Sequence, residues 1–226
     1  MKKLLLILLC LPMIGFGQLT MIPDANFEQK LINLGYDNGA INGSVYTALI
    51  NTVTYLDISF SNISDLTGIE DFTALNYLHC SNNQLTSLDV SNNTDLTELF
   101  CDHNGLTSLD VSGATALEYL DCAYNSLTSL DVSGATALEY LDCAYNSLTS
   151  LDVRNGNNIN MYLISTNNPN LICISVDDPV YAAANWTNID PQHYFSHNCS
   201  GTSIQEHTTN KELLKVTDLL GRETKQ

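Results

Sequence analysis

Basic residues are nearly missing from the body of this 226-residue chain. Between Gln18 and Ser200 only Lys30 and Arg154 are positively charged, against 21 Asp and Glu, whereas the last 26 residues carry four of each sign. The net charge of −17 therefore belongs to the body. Such a surface repels phosphate backbones, which excludes nucleic acid as a partner and favours cations or basic partners; it also serves solubility. Long apolar runs are lacking too. After Ile14 no stretch approaches the roughly 20 residues that a membrane-spanning helix needs. Catalytic signatures are equally scarce: there is no G-x-S-x-G, no H-E-x-x-H and no G-x-x-x-x-G-K-S.

The beginning of the chain reads as an address. Lys2 and Lys3 precede an apolar run from Leu4 to Ile14 and a small-x-small Gly15-Phe16-Gly17, the pattern of a cleavable signal peptide over residues 1–17. The mature chain is expected to start at Gln18 and to be secreted or held at the outer cell surface. Cys10 follows Leu8 and Leu9, where a lipidation site would want small residues.

A period of 21 residues organises the centre. LTSLDVSGATALEYLDCAYNS at 106–126 recurs unchanged at 127–147, with degenerate copies at 75–84, 85–105 and 148–153. Each copy carries L-x-x-L-x-C-x-x-N-x-L, as in Leu96, Leu99, Cys101, Asn104 and Leu106. Alternation turns Leu99 and Cys101 inward and Phe100 outward, as in a strand. Asn83, Asn104, Asn125 and Asn146 then form an inner ladder whose amides satisfy turn backbone. The second half, L-x-x-L-D-V-S, repeats the inward spacing, with Val90, Val111, Val132 and Val153. One coil cannot bury its own apolar row, but stacked coils can.

These residues resemble the leucine-rich repeats. The resemblance implies a solenoid of parallel β coils with little helix, neighbouring coils roughly 4.8 Å apart. The first coil, Val53 to Ala74, is 22 residues long, and its N-I-S-D-L-T-G-I-E portion resembles the internalin type. Internalins bind host surface proteins, so the resemblance implies adhesion.

Open solenoid ends need covers. The expected divisions are an N-terminal cap at 18–52, repeats at 53–171, a C-terminal cap at 172–200, and a linker with a partial tail at 201–226. Asp24 can cap a short helix carrying Phe27, Leu31 and Leu34, closed by Gly35. Asp178-Pro179 can start another, with Tyr181, Trp186, Tyr194 and Phe195 over the last coil. Cys80, Cys101, Cys122 and Cys143 share one inward position. Their rungs are too far apart for the roughly 3.8 Å between Cβ atoms of a disulfide, and collinear rungs make no tetrahedral zinc site, so they read as buried thiols. Cys173 and Cys199 fall outside that register and are the expected disulfide. Lys211 to Gln226, chiefly L-L-K-V-T-D-L-L-G-R-E, resembles the beginning of the sorting tail of type IX secretion substrates.

Repetition makes ladders of single residues. Tyr77, Glu98, Tyr119 and Tyr140 are expected in one outward row and His79, Phe100, Asp121 and Asp142 in the next, with Asp102, His103, Tyr124 and Tyr145 at the edge. Rings supply area and carboxylates direction, which suits a protein or polysaccharide contact; the alternative is rings that only shield the sheet. Asp89, Asp110, Asp131 and Asp152 form another ladder. Its repulsion can be relieved by hydrogen bonds from neighbouring Ser, Thr or backbone amides, or by Ca²⁺ bridging the rungs. Asp37, Asn38, Gly39 and Asn42 read as a turn, because the later glutamate of a calcium loop is missing.

The expected function is a monomeric binding or adhesion module without a cofactor. A structural surface-layer component is the alternative, favoured by the identical copies, whereas the varied residues at His79, Glu98 and Phe100 favour binding. A glycan-acting enzyme using paired carboxylates is the remote one, because ladders repeat one environment while an acid and a base need different ones.

Overall fold

The computed structural model describes residues 17–199. The signal-peptide reading of residues 1–17, Gly17 apart, and the sorting-tail reading of Lys211 to Gln226 lie outside them. In chain order the elements are β1 (Leu19–Met21), α1 (Ala25–Leu34), β2 (Ser44–Tyr46) and α2 (Thr47–Ile50), followed by β3 (Tyr55–Asp57), β4 (Tyr77–His79), β5 (Ser87–Asp89), β6 (Glu98–Phe100), β7 (Ser108–Asp110), β8 (Tyr119–Asp121), β9 (Ser129–Asp131), β10 (Tyr140–Asp142), β11 (Ser150–Asp152), β12 (Tyr162–Ile164) and β13 (Cys173–Ser175). Helix α3 (Pro179–Asn185) and β14 (Tyr194–Ser196) close the described chain.

The coils stack as a parallel solenoid of the expected leucine-rich-repeat kind. The L-x-C segments form a front sheet of six strands in the order β12-β10-β8-β6-β4-β3, all parallel. The register follows the repeat: Tyr119 pairs with Tyr140 and Leu120 with Leu141. The coils from Tyr55 to Tyr77 and from Tyr140 to Tyr162 are each one residue longer than the rest. The L-D-V segments form the back. Here the sheet is interrupted, with β5 pairing β7 and, separately, β9, β11, β13 and β14 in one sheet. No strand pairing joins β7 to β9, although they lie in the two identical copies.

Between the two layers lies a single apolar core. Leu56, Leu78, Leu99, Leu120, Leu141 and Leu163 fill the front row, and Leu88, Leu130 and Leu151 the back. Leu109, beside the interruption, is only partly buried. The asparagine ladder does what its position predicts. Asn125 accepts from the Leu106 amide at 2.9 Å and donates to the Cys101 and Cys122 carbonyls at 3.1 Å. Asn168 extends the ladder past Asn146. These groups would each cost about 1–3 kcal/mol if buried unpaired. The turns after the back strands pack tightly: a Cβ on Gly113 would lie 1.9 Å from the Ser91 carbonyl oxygen.

Both ends are covered. Asp24 accepts from the Asn26 and Phe27 amides, and Gly35 closes α1 at a φ of 81°. Phe27 and Leu31 are buried, but Leu34 is 42 % exposed. The buried face of α1 is completed instead by Glu28, whose carboxylate accepts from the amides of Asn42 at 2.6 Å and Gly43 at 2.8 Å. The Asp37–Asn42 segment is thereby tied down as a turn. An antiparallel pair, β1 with β2, adds to this cap. At the other end Asp178 caps α3, Trp186 is buried and meets Phe195 edge-on, and Tyr194 is 42 % exposed. Cys173 and Cys199 form a disulfide, while Cys80, Cys101, Cys122 and Cys143 are buried free thiols whose pKa values burial pushes up.

Candidate functional site

The three-residue strands of the front sheet point their middle leucine inward and both neighbours outward. Two outward rows result. The first is Tyr55, Tyr77, Glu98, Tyr119, Tyr140 and Tyr162; the second is Asp57, His79, Phe100, Asp121, Asp142 and Ile164. Tyr77, His79, Glu98, Phe100, Tyr119, Asp121, Tyr140 and Asp142 all lie on this surface, as the alternation predicts. Tyr55, Asp57 and Tyr162 extend it at both ends, in coils whose inward position is Ile58 or Ser165 in place of cysteine.

The rings touch one another along the whole sheet. Centroids are 4.4 Å apart for Tyr55–Tyr77, 5.4 Å for Tyr77–Phe100, 4.8 Å for Phe100–Tyr119, 4.2 Å for Tyr119–Tyr140 and 5.7 Å for Tyr140–Tyr162. Phe100 leans in from the second row where the first row has Glu98. Burial and its neighbours push the Tyr77 hydroxyl up to about 12, and burial beside Tyr140 raises that of Tyr119.

A second stack follows the rim. His103, Tyr124 and Tyr145 lie at centroid distances of 4.3 and 4.2 Å. Their backbones are left-handed, with φ of 51°, 53° and 54°, as are Phe60, Asn82 and Asn167 on the other rungs. That conformation costs a residue with a Cβ roughly 1–2 kcal/mol. Asparagine tolerates it better than tyrosine, so the rim presents rings at an energetic cost. Tyr124 and Tyr145 are 45 % and 46 % exposed.

Half-buried carboxylates lie between the stacks. Asp121 and Asp142 sit on adjacent strands, each accepting one amide, from Ala123 at 3.1 Å and Ala144 at 2.9 Å. Burial, then Asp102 and Asp142, pushes Asp121 up to about 6, and burial with Asp102 raises Asp142. Asp102 itself bonds the Ser81 hydroxyl and meets the His103 ring at 2.8 Å. His79 lies 3.6 Å from Asp57.

The back ladder solves its repulsion locally. Asp89, Asp110, Asp131 and Asp152 each accept the amide two residues ahead, at 2.9 to 3.1 Å. Hydrogen bonds from Ser112 lower the Asp110 pKa, and Arg154 lowers that of Asp152. Around the interruption a groove is lined by Asp89, Ser108, Asp110, Ser129, Asp131 and Ser133. Among the described residues no group of three His, Cys, Asp or Glu side chains converges as metal ligands would, and no helix is long and apolar enough to cross a membrane.

No family model matches the chain. Internalin J of Listeria monocytogenes serotype 4b (strain F2365) is 43% identical over 72 residues, 32% of this chain and 8% of that protein. The solved functional domain of InlJ from Listeria monocytogenes, which includes a cysteine ladder, is 36% identical, with a TM-score of 0.60 over 71% of this chain and 38% of that one. A leucine-rich-repeat protein of Leptospira interrogans is 19% identical, with a TM-score of 0.45 over 66% of this chain and 45% of that one. The chain thus spans well under two thirds of the proteins it resembles.

Proposed function

We propose that this internalin-like leucine-rich-repeat chain is a binding module, not an enzyme, acting outside the cell, and that its front sheet holds a protein or polysaccharide at a surface. The observation that carries this reading is the uninterrupted run of rings from Tyr55 to Tyr162, kept at the surface of a sheet that nothing else in the described chain covers. Rings contribute large contact area at little cost in conformational entropy, and aromatic residues dominate the energetics of interfaces. The strained rim supports the same reading, since its exposed tyrosines hold a left-handed backbone that asparagine adopts at lower cost.

Immobilised protein incubated with extracts of cell envelopes and with a glycan array is the test. The double variant Tyr119→Ala, Tyr140→Ala is expected to lower capture at least about tenfold while the solenoid still folds. Undiminished capture would remove the front sheet as the binding face.

A further inference from the structure

The front sheet is an unpartnered face, and its chemistry limits what can cover it. In the two identical copies the rings lie face to face, Tyr119 and Tyr140 tilted by 2° and Tyr124 and Tyr145 by 9°, whereas Phe100 meets Tyr77 and Tyr119 at 42° and 31°. The π faces that these pairs turn toward one another are therefore occupied, and the pairs present mainly edges and hydroxyls to solvent. A sugar ring that stacks on an aromatic needs a free face, so the inner rungs offer a polysaccharide no stacking platform. A cation over a π face is excluded for the same reason.

What remains free to choose a partner is the charge between the ladders. Asp121 and Asp142 each spend one oxygen on a turn amide, and no Lys or Arg among the described residues pairs with either. On the same face His79 pairs with Asp57, and His103 pairs with Asp102 while acting on Asp121 only through space. The one described arginine, Arg154, is bound to Asp152 on the back. Glu98 adds a further carboxylate to the same face. Asp121 and Asp142 are half-buried, so an incoming ammonium or guanidinium meets a less screened charge here than on open surface.

From this charge complementarity we infer that the partner of the front face is a basic polypeptide segment, its Lys or Arg side chains paired with Asp121 and Asp142 and its stem flanked by the two ring ladders. The inference rests on the front sheet being the binding face.

Fluorescence anisotropy of a labelled nona-arginine peptide added to the full chain tests it. The charge of the whole body attracts any polycation, so the control removes equal charge from the other side: Asp121→Asn, Asp142→Asn is compared with Asp110→Asn, Asp131→Asn. The front variant is expected to bind about tenfold more weakly, and the back variant to change by less than about twofold. Equal losses from both variants, or none from either, would overturn the inference. The same proteins in the envelope-capture assay separate the two readings. Capture lost in the Tyr119→Ala, Tyr140→Ala variant but intact in Asp121→Asn, Asp142→Asn would leave the binding face standing and remove the basic partner. Capture insensitive to both would remove both.

Discussion

The front and back of the solenoid are made by the same coils, with leucine inward and aspartate outward on each, yet their aspartates behave in opposite ways. Asp110 on the back and Asp121 on the front each accept the amide two residues ahead, at 2.9 and 3.1 Å. The back carboxyl is exposed, and Ser112 holds it below the usual carboxylate range; the front one is pushed up to about 6. Burial makes the difference. On the front, rings stand on either side of the acid row and further acids lie within reach. On the back, the outward neighbours are serine and threonine. The same carboxylate-to-amide hydrogen bond is thus quiet on one face, where a serine hydroxyl joins it, and frustrated on the other, and a partner can relieve only the frustrated one.

Core truncation should separate the faces most strongly. Leu120 is fully buried beneath the front sheet, while Leu109 lies partly exposed at the interruption of the back. Leu120→Ala should cost about 3–4 kcal/mol and Leu109→Ala about 1–2 kcal/mol in urea unfolding. Equal costs would mean that the back is as continuous as the front.

Charge removal should act next, with opposite signs. Because the folded pKa of Asp121 is raised, its contribution to stability is complete below the ordinary value of 3.8 and is lost as pH rises through about 6. Asp121→Asn should therefore stabilise the protein at pH 7 by about 1–2 kcal/mol, after allowance for solvent screening, and hardly at all at pH 4. Burial chiefly sets the size of that gain, with Asp102 and Asp142 adding to it and the Ala123 amide and His103 opposing it. Asp110 has a depressed pKa, so its contribution is present above 3.8 and disappears as pH falls. Asp110→Asn should cost a few tenths of a kcal/mol at pH 7. Thermal melts across this pH range distinguish the two, and parallel curves would break the comparison.

The smallest effect belongs to the rim. Tyr124→Asn relieves about 1 kcal/mol of left-handed strain and forfeits a similar amount of ring stacking, so melting should barely move. Capture by the front face should fall nonetheless. A large loss of stability would make the rim rings structural.

Much of this was legible because a ladder repeats its own evidence. The 21-residue spacing placed Cys80, Cys101, Cys122 and Cys143 inside, the asparagines at the turns, and Cys173 with Cys199 outside the register. What escaped lies where the repeat decays or where identical residues do different things. Tyr55 and Tyr162 sit in coils without the cysteine and with an added residue. Asn168 follows Ser165, not a cysteine. The interruption between β7 and β9 falls between identical copies, so nothing local marks it. The left-handed rim has only Asn82 and Asn167 as a signal, since tyrosine ordinarily argues against that conformation. Leu34 keeps the helical spacing, but Glu28 takes the place beside Phe27 and Leu31.

The two identical copies have a consequence for inheritance. Removal of residues 127–147 would leave every junction between coils of a kind the chain already contains, and would shorten the front ladder by one tyrosine and the acid row by one aspartate. Duplication would lengthen both in the same way. The reach of the face is therefore set by copy number, in steps of one coil, and unequal exchange between the two stretches could resize it in a single event without any new side chain having to be found.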